Sequence, residues 1–119
     1  MSAGDVEART ETFTIINTAG IHLRPAHAIA QLSTRFKDCT VFACKEGKRV
    51  NAKSVIGLTD LVGACGDAVM FETRGPGAAE CIEELRRLFR DGFGEEIDPE
   101  FRDPRSRTAG AKPGAGPGV

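Results

Sequence analysis

The sequence predicts an α+β fold, an open-faced β-sandwich in which a four-stranded antiparallel sheet carries three helices on one face, in the order β-α-β-β-α-β-α. Two observations predict it. Strand-like and helical apolar patterns alternate cleanly along the chain, and the connections are short and rich in glycine, asparagine and proline. The strands are also amphipathic rather than uniformly apolar, which suits a sheet covered on one side only.

Each element has its own signal. Thr12-Phe13-Thr14-Ile15-Ile16 alternates as a strand and stops at Asn17-Thr18-Ala19-Gly20. Pro25 suits a first helical turn, and Ile29, Leu32 and Phe36 recur at i, i+3 and i+7, giving a helix over about 24–37. Thr40–Lys45 and Arg49–Ala52 flank the tight turn Glu46-Gly47-Lys48 and read as a hairpin. Ser54 can cap a short helix whose Val55, Leu58, Leu61 and Val62 share helical spacing, ended by Gly63 and Gly66. Ala68–Thr73 is the fourth strand, broken by Gly75-Pro76-Gly77. A last helix over about 78–91 turns Cys81, Ile82, Leu85, Leu88 and Phe89 inward, sets Glu83 against Arg87 outside, and stops at Gly92 and Gly94.

Composition bounds the rest. The 119 residues make one domain, 40% hydrophobic and 28% charged, with 16 Lys+Arg against 17 Asp+Glu. Near-neutral charge supplies no basic field for nucleic acid, and no apolar run reaches the ~18–20 residues of a membrane span. The opening residues lack the charged and apolar regions of an export signal, so the expected location is the cytoplasm. Residues 1–11 read as a flexible lead-in, 12–96 as the folded domain and 97–119 as a Pro/Gly-rich disordered tail. Cys39, Cys44, Cys65 and Cys81 form no C-x-x-C pair, and His22 and His27 precede them at spacings unlike a zinc site, so no metal and no cofactor is expected. Reduced, packing thiols are the ordinary reading, with a Cys39–Cys44 bridge left open.

The chemistry concentrates in Gly20-Ile21-His22-Leu23-Arg24-Pro25-Ala26. A histidine ends a glycine-containing loop, two residues before an arginine and three before a helix-starting proline, so imidazole, guanidinium and free helix amides converge. Imidazole is both nucleophile and leaving group near neutrality, and a phosphoryl group on it would accept from the first-turn N–H groups while pairing with Arg24. The plain reading of a loop histidine is an exposed polar residue, and no Asp or Glu stands nearby in sequence to orient the ring. A phosphate-cradling G-x-x-x-x-G-K-[ST] loop is absent, which excludes a nucleotide-binding kinase of that kind.

The same seven residues resemble the phosphohistidine motif of the HPr family, the histidine-containing phosphocarriers of the phosphoenolpyruvate-dependent sugar phosphotransferase system. Gly47–Leu58 resembles that family's regulatory-serine region, and the element order is similar over about 12–93. The resemblance implies that His22 is phosphorylated on Nδ1 by phospho-enzyme I and passes the group to IIA domains of sugar permeases, with Arg24 stabilising its charge. It implies a stoichiometric carrier and not a turnover enzyme; the expected protein is a monomer with no nucleic-acid partner and no membrane insertion. Ser54 would be modified by HPr kinase/phosphorylase, which is compatible with its capping a helix and would weaken docking to enzyme I by adding negative charge. A nitrogen-type regulatory carrier of the same fold is the nearest alternative, and a small Cys- or His-dependent enzyme a more distant one. Leu23 and Ala19 depart from the family's usual residues.

Docking is expected to use Leu23, His27, Val55, Ile56 and Thr59 around His22. Strand alternation also puts Ile16, Phe42, Cys44 and Met70 on the open sheet face, where Ile97 and Phe101 could fold back to cover them.

Overall fold

The computed structural model describes residues 7–102. Four strands, β1 (Ala8–Thr14), β2 (Thr40–Lys45), β3 (Lys48–Asn51) and β4 (Ala68–Arg74), form one sheet in the order β1-β4-β2-β3 with every pairing antiparallel. Three helices, α1 (Leu23–Thr34), α2 (Val55–Asp60) and α3 (Ala78–Arg90), complete the order the periodicity predicts. Phe13 pairs with Val69, and Ala43 with Phe71 and Val50. This register brings Phe13, Val41, Ala43, Val69 and Phe71 into one buried core with Ile15, Ile29, Leu32, Leu58, Leu85 and Phe89. Phe89 stacks on Phe13 at 5.2 Å and meets Phe71 edge-on at 5.5 Å, so α3 is pinned over β1 and β4 by aromatic packing.

The boundaries differ from expectation at both ends. β1 begins at Ala8, four residues earlier than the apolar pattern, because Ala8–Glu11 join the sheet through backbone pairing with Arg74–Phe71 while Ala8, Arg9 and Thr10 stay exposed. Alternation is a signal of burial and is blind to such an extension. Beyond α3 the chain turns back instead of ending. Ile97 bridges to Asn17, the Asp98 N–H donates to the Ile16 carbonyl at 2.9 Å, and Pro99–Phe101 forms a short 3-10 turn capped by the Asp98 side chain. Ile16 and Phe101 are both buried. Residues 97–102 therefore belong to the fold and not to the Pro/Gly-rich tail. The other parts of the expected lead-in and tail, 1–6 and 103–119, lie outside the described residues. Elsewhere on the open face, the Arg49 guanidinium lies 3.7 Å over the Phe42 ring while pairing with Glu72 at 3.1 Å.

Two local expectations are also corrected. Arg87 pairs with Glu84 and Arg86 with Glu83, both at i, i+3, in place of the Glu83–Arg87 pair, because Arg86 also reaches Glu11 on β1 and draws Glu83 with it. Val62 is 73% exposed and not on the inner face of α2. That helix is six residues long, and the chain leaves it with Val62 at φ 54°, which swings the side chain outward.

The start of α3 has no side-chain cap of its own, because its N-cap is Gly77. Glu7 supplies one from outside the helix: its carboxylate accepts from the Gly77 and Ala79 N–H groups, each at 3.2 Å. An anion there satisfies orphan donors and the helix dipole together. Glu7→Ala is expected to cost about 1 kcal/mol in chemical denaturation, the usual loss on removing a cap. A variant as stable as the parent would show the contact to be idle.

Candidate functional site

The site is built on the entry to α1. Gly20 sits at φ 74°, a left-handed turn that only glycine adopts freely, and the next residue's N–H, that of Ile21, donates to the Gly63 carbonyl at 2.9 Å. His22 is then the N-cap of α1 in an extended conformation, with its side chain 42% exposed. Its Nδ1 faces the Arg24 backbone N–H at 3.5 Å, so this nitrogen points at the free amides of the first turn. Pro25 and Ala26 are buried and anchor the helix beneath it.

The opposite ring nitrogen is occupied. Glu95, 73 residues further on, places Oε2 at 2.8 Å and Oε1 at 3.0 Å from His22 Nε2. Asn17, fully buried, donates through Nδ2 to both Glu95 Oε1 at 3.0 Å and the Gly20 carbonyl at 2.8 Å, tying the carboxylate to the loop that carries the histidine. Gly92, Phe93 and Gly94 all have positive φ, and this left-handed run after α3 turns Glu95 back onto α1. Burial pushes the Glu95 carboxyl up, but the hydrogen bonds from His22 and Asn17 and the nearby charges of His22 and Arg24 outweigh it, so its pKa is lowered. A lowered carboxyl contributes stability that is complete above the ordinary carboxylate value of about 4.3 and is lost as pH falls through the folded-state value. Glu95→Gln is therefore expected to flatten the acid limb of Tm against pH, and parallel curves for variant and parent would contradict this.

Thr18, Ala19, His22, Arg24, Glu95 and Glu96 line the resulting surface recess. Among the described residues the Arg24 guanidinium has no ion-pair partner. His22 and Arg24 thus come together as their spacing implies, and Glu95 and Asn17 join them from positions that local spacing cannot reveal. The pair Glu95-Glu96 after a Gly-x-Gly break was the visible trace.

None of the other expected residues lines this recess. Leu23 is 68% and Ile56 81% exposed. His27 and Val55 line a separate groove between α1 and α2 with Gln31, Arg35 and Lys37. The Thr59 hydroxyl donates to the Ile56 carbonyl within α2. Ser54 caps α2, its Oγ accepting from the Gly57 N–H at 3.0 Å. All four cysteines are free, and burial pushes their thiols up, Cys81 to about 11. Thiols held in the neutral form are poor nucleophiles.

Comparison with known proteins bears on the family and the fold. Residues 9–91 match the PTS-HPr family, described as the PTS HPr component phosphorylation site. The chain is 35% identical over 86 residues to phosphocarrier protein HPr of Treponema pallidum, covering 72% of this chain and 97% of that protein. It is 34% identical over 86 residues to phosphocarrier protein NPr of Escherichia coli, covering 72% and 96%. The crystal structure of HPr-C-His from Thermoanaerobacter tengcongensis superposes with a TM-score of 0.71 at 34% identity, covering 75% of this chain and 99% of that one. Sequence, fold and neighbours converge, and the chain belongs to the HPr family of phosphotransferase-system phosphocarriers.

Proposed function

We propose that His22 takes a phosphoryl group on Nδ1 from phospho-enzyme I and passes it to the IIA domain of a sugar permease, acting as a stoichiometric carrier. One observation supports this above the others: of the two ring nitrogens, Nε2 is engaged by Glu95 while Nδ1 faces the first-turn amide at an exposed helix entrance. A PO₃ unit on Nδ1 would sit at the positive end of α1, where backbone N–H groups accept an anion, with Arg24 beside it. The carrier domain spans about 8–102 in this reading and works as a monomer in the cytoplasm. No helix among the described residues is long and apolar enough to cross a membrane.

Leu23 and Ile56 supply the exposed apolar part of the docking surface, with Val55, His27 and Thr59 at its edge. Ser54, as the α2 cap beside Ile56, is the proposed regulatory site for HPr kinase/phosphorylase: a phosphate there puts about −2 charge on the surface that enzyme I must approach. The likeness to NPr supports a second reading, in which the acceptor is a regulatory IIA domain.

The test is incubation with enzyme I and phosphoenolpyruvate, followed by intact mass. The expected result is one acid-labile phosphate per chain, absent from His22→Ala. A phosphate that survives acid, or that persists in His22→Ala, overturns the assignment. Presenting the loaded protein to permease and regulatory IIA domains in parallel then separates the two readings by which one removes the phosphate.

A further inference from the structure

We propose that Val62 is a specificity-determining contact, an apolar anchor that enters a pocket on phospho-enzyme I beside the His22 loop. This rests on the reading of the chain as that protein's phosphoryl acceptor. Among the described residues the exposed large apolar side chains are Leu23, Ile56 and Val62. Exposure by itself says little, since single apolar side chains are common on folded surfaces. The backbone is what singles out Val62. It follows the C-cap Leu61 of α2 and holds φ at 54°. A left-handed residue is an ordinary way to end a helix, but glycine or asparagine usually supplies it. Valine is branched at Cβ and suits that twist poorly, and no burial of its side chain offsets the strain. The other two non-glycine residues of positive φ have local reasons for it. Glu46 makes the β2–β3 turn with Gly47, and Phe93 packs edge-on against Phe89 at 4.9 Å. Strain without such a reason gathers where another molecule is bound.

Its neighbours place Val62 at the junction of α2 and the histidine loop. The Val62 N–H donates to the Thr59 carbonyl at 3.1 Å, and the carbonyl of the next residue, Gly63, accepts from the Ile21 N–H at 2.9 Å. The side chain is thus held on one side by α2 and on the other, through Gly63, by the residue before His22. Leu23 follows His22 directly and Ile56 lies in the first turn of α2, so Val62 continues the apolar docking surface towards the phosphoryl acceptor. Charge indicates what meets it. α1 carries Arg24 and no acidic residue, and Arg35, Lys37 and Lys53 stand just outside α1 and α2. The matching partner surface is apolar at its centre and acidic around it. Phospho-enzyme I is the protein that must cover His22 to load it.

The full chain, as parent, Val62→Ala, Val62→Leu and Val62→Gly, tests this by thermal melting and by initial rates of phosphoryl uptake from enzyme I and phosphoenolpyruvate. Val62→Ala keeps a Cβ on the left-handed backbone but removes two methyl groups from the contact. Its KM is expected to rise about tenfold, with kcat and Tm close to the parent's. Val62→Leu keeps the apolar contact and should hold KM within about twofold. Val62→Gly removes strain and contact together. Its KM is expected to rise about tenfold while Tm rises by about 4 °C, the strain relief less the added freedom of glycine in the unfolded chain. A more stable fold that docks more weakly is an outcome that a merely structural role would not produce. An unchanged KM in both Val62→Ala and Val62→Gly overturns the proposal. It is overturned equally if KM holds while these variants abolish a concentration-dependent dimer of the parent in sedimentation, which would make the occupant a second copy. A parent that takes no phosphate from enzyme I overturns the acceptor reading itself, so the two failures are distinguishable.

Discussion

Arg24→Ala is expected to slow phosphoryl transfer into and out of His22 about 10²-fold, the usual loss when a preorganised donor to a developing anion is removed. The guanidinium is permanently charged and offers five N–H donors, and among the described residues it is committed to no ion pair. Its side chain is exposed at the helix entrance, so removal should leave stability within about 0.5 kcal/mol of the parent. Rapid-quench measurement with phospho-enzyme I, beside a thermal melt, separates the two effects. Arg24→Lys should recover part of the rate, since an ammonium replaces the charge but not the planar fork. A full rate in Arg24→Ala would mean that the α1 amides alone hold the phosphoryl charge.

The second large effect concerns the loop and not the chemistry. A Cβ at Gly20 would stand 2.5 Å from the Gly63 carbonyl oxygen and 3.1 Å from the Ala64 Cα, on a backbone already at φ 74°. That carbonyl is the one accepting from the Ile21 N–H, so it cannot retreat without breaking the bond that seats the loop. Left-handed strain and overpacking together put Gly20→Ala at about 3 kcal/mol of lost stability, or roughly 15 °C in Tm for a domain of this size. His22 should also lose its contact with Glu95, so phosphate uptake falls with stability. Gly47→Ala is the control: it shares the positive φ, 84°, but a Cβ there meets nothing within 4 Å, so only about 1 kcal/mol is expected. Equal losses at the two positions would show that conformation, and not the Gly63 contact, sets the cost.

What the residues reveal by themselves follows the range over which each signal acts. Phe13, Val41, Val69 and Phe71 are legible as core because burial on one sheet face imposes alternation within a few residues. His22, Arg24 and Ser54 are legible because a helix N-terminus gathers its chemistry within one turn. Glu95 and Asn17 are hidden because their partnership with His22 exists only after α3 has docked and three successive positive-φ residues have redirected the chain. Val62 misleads for the opposite reason. Its spacing from Leu58 is helical, but the helix has already ended, and periodicity carries no mark of where a backbone leaves its coil. Phe101 carries two opposed signals: a Pro- and Gly-rich composition argues against order, while apolar residues on the open sheet face ask for a cover, and the burial of Phe101 shows that the second prevails there.

The span between His22 and Glu95 has a consequence for synthesis. A nascent chain that has released only its first two-thirds from the ribosome contains the imidazole but not the carboxylate that contacts it. The recess around His22 is therefore completed late, once α3 is whole and the closing residues have turned back.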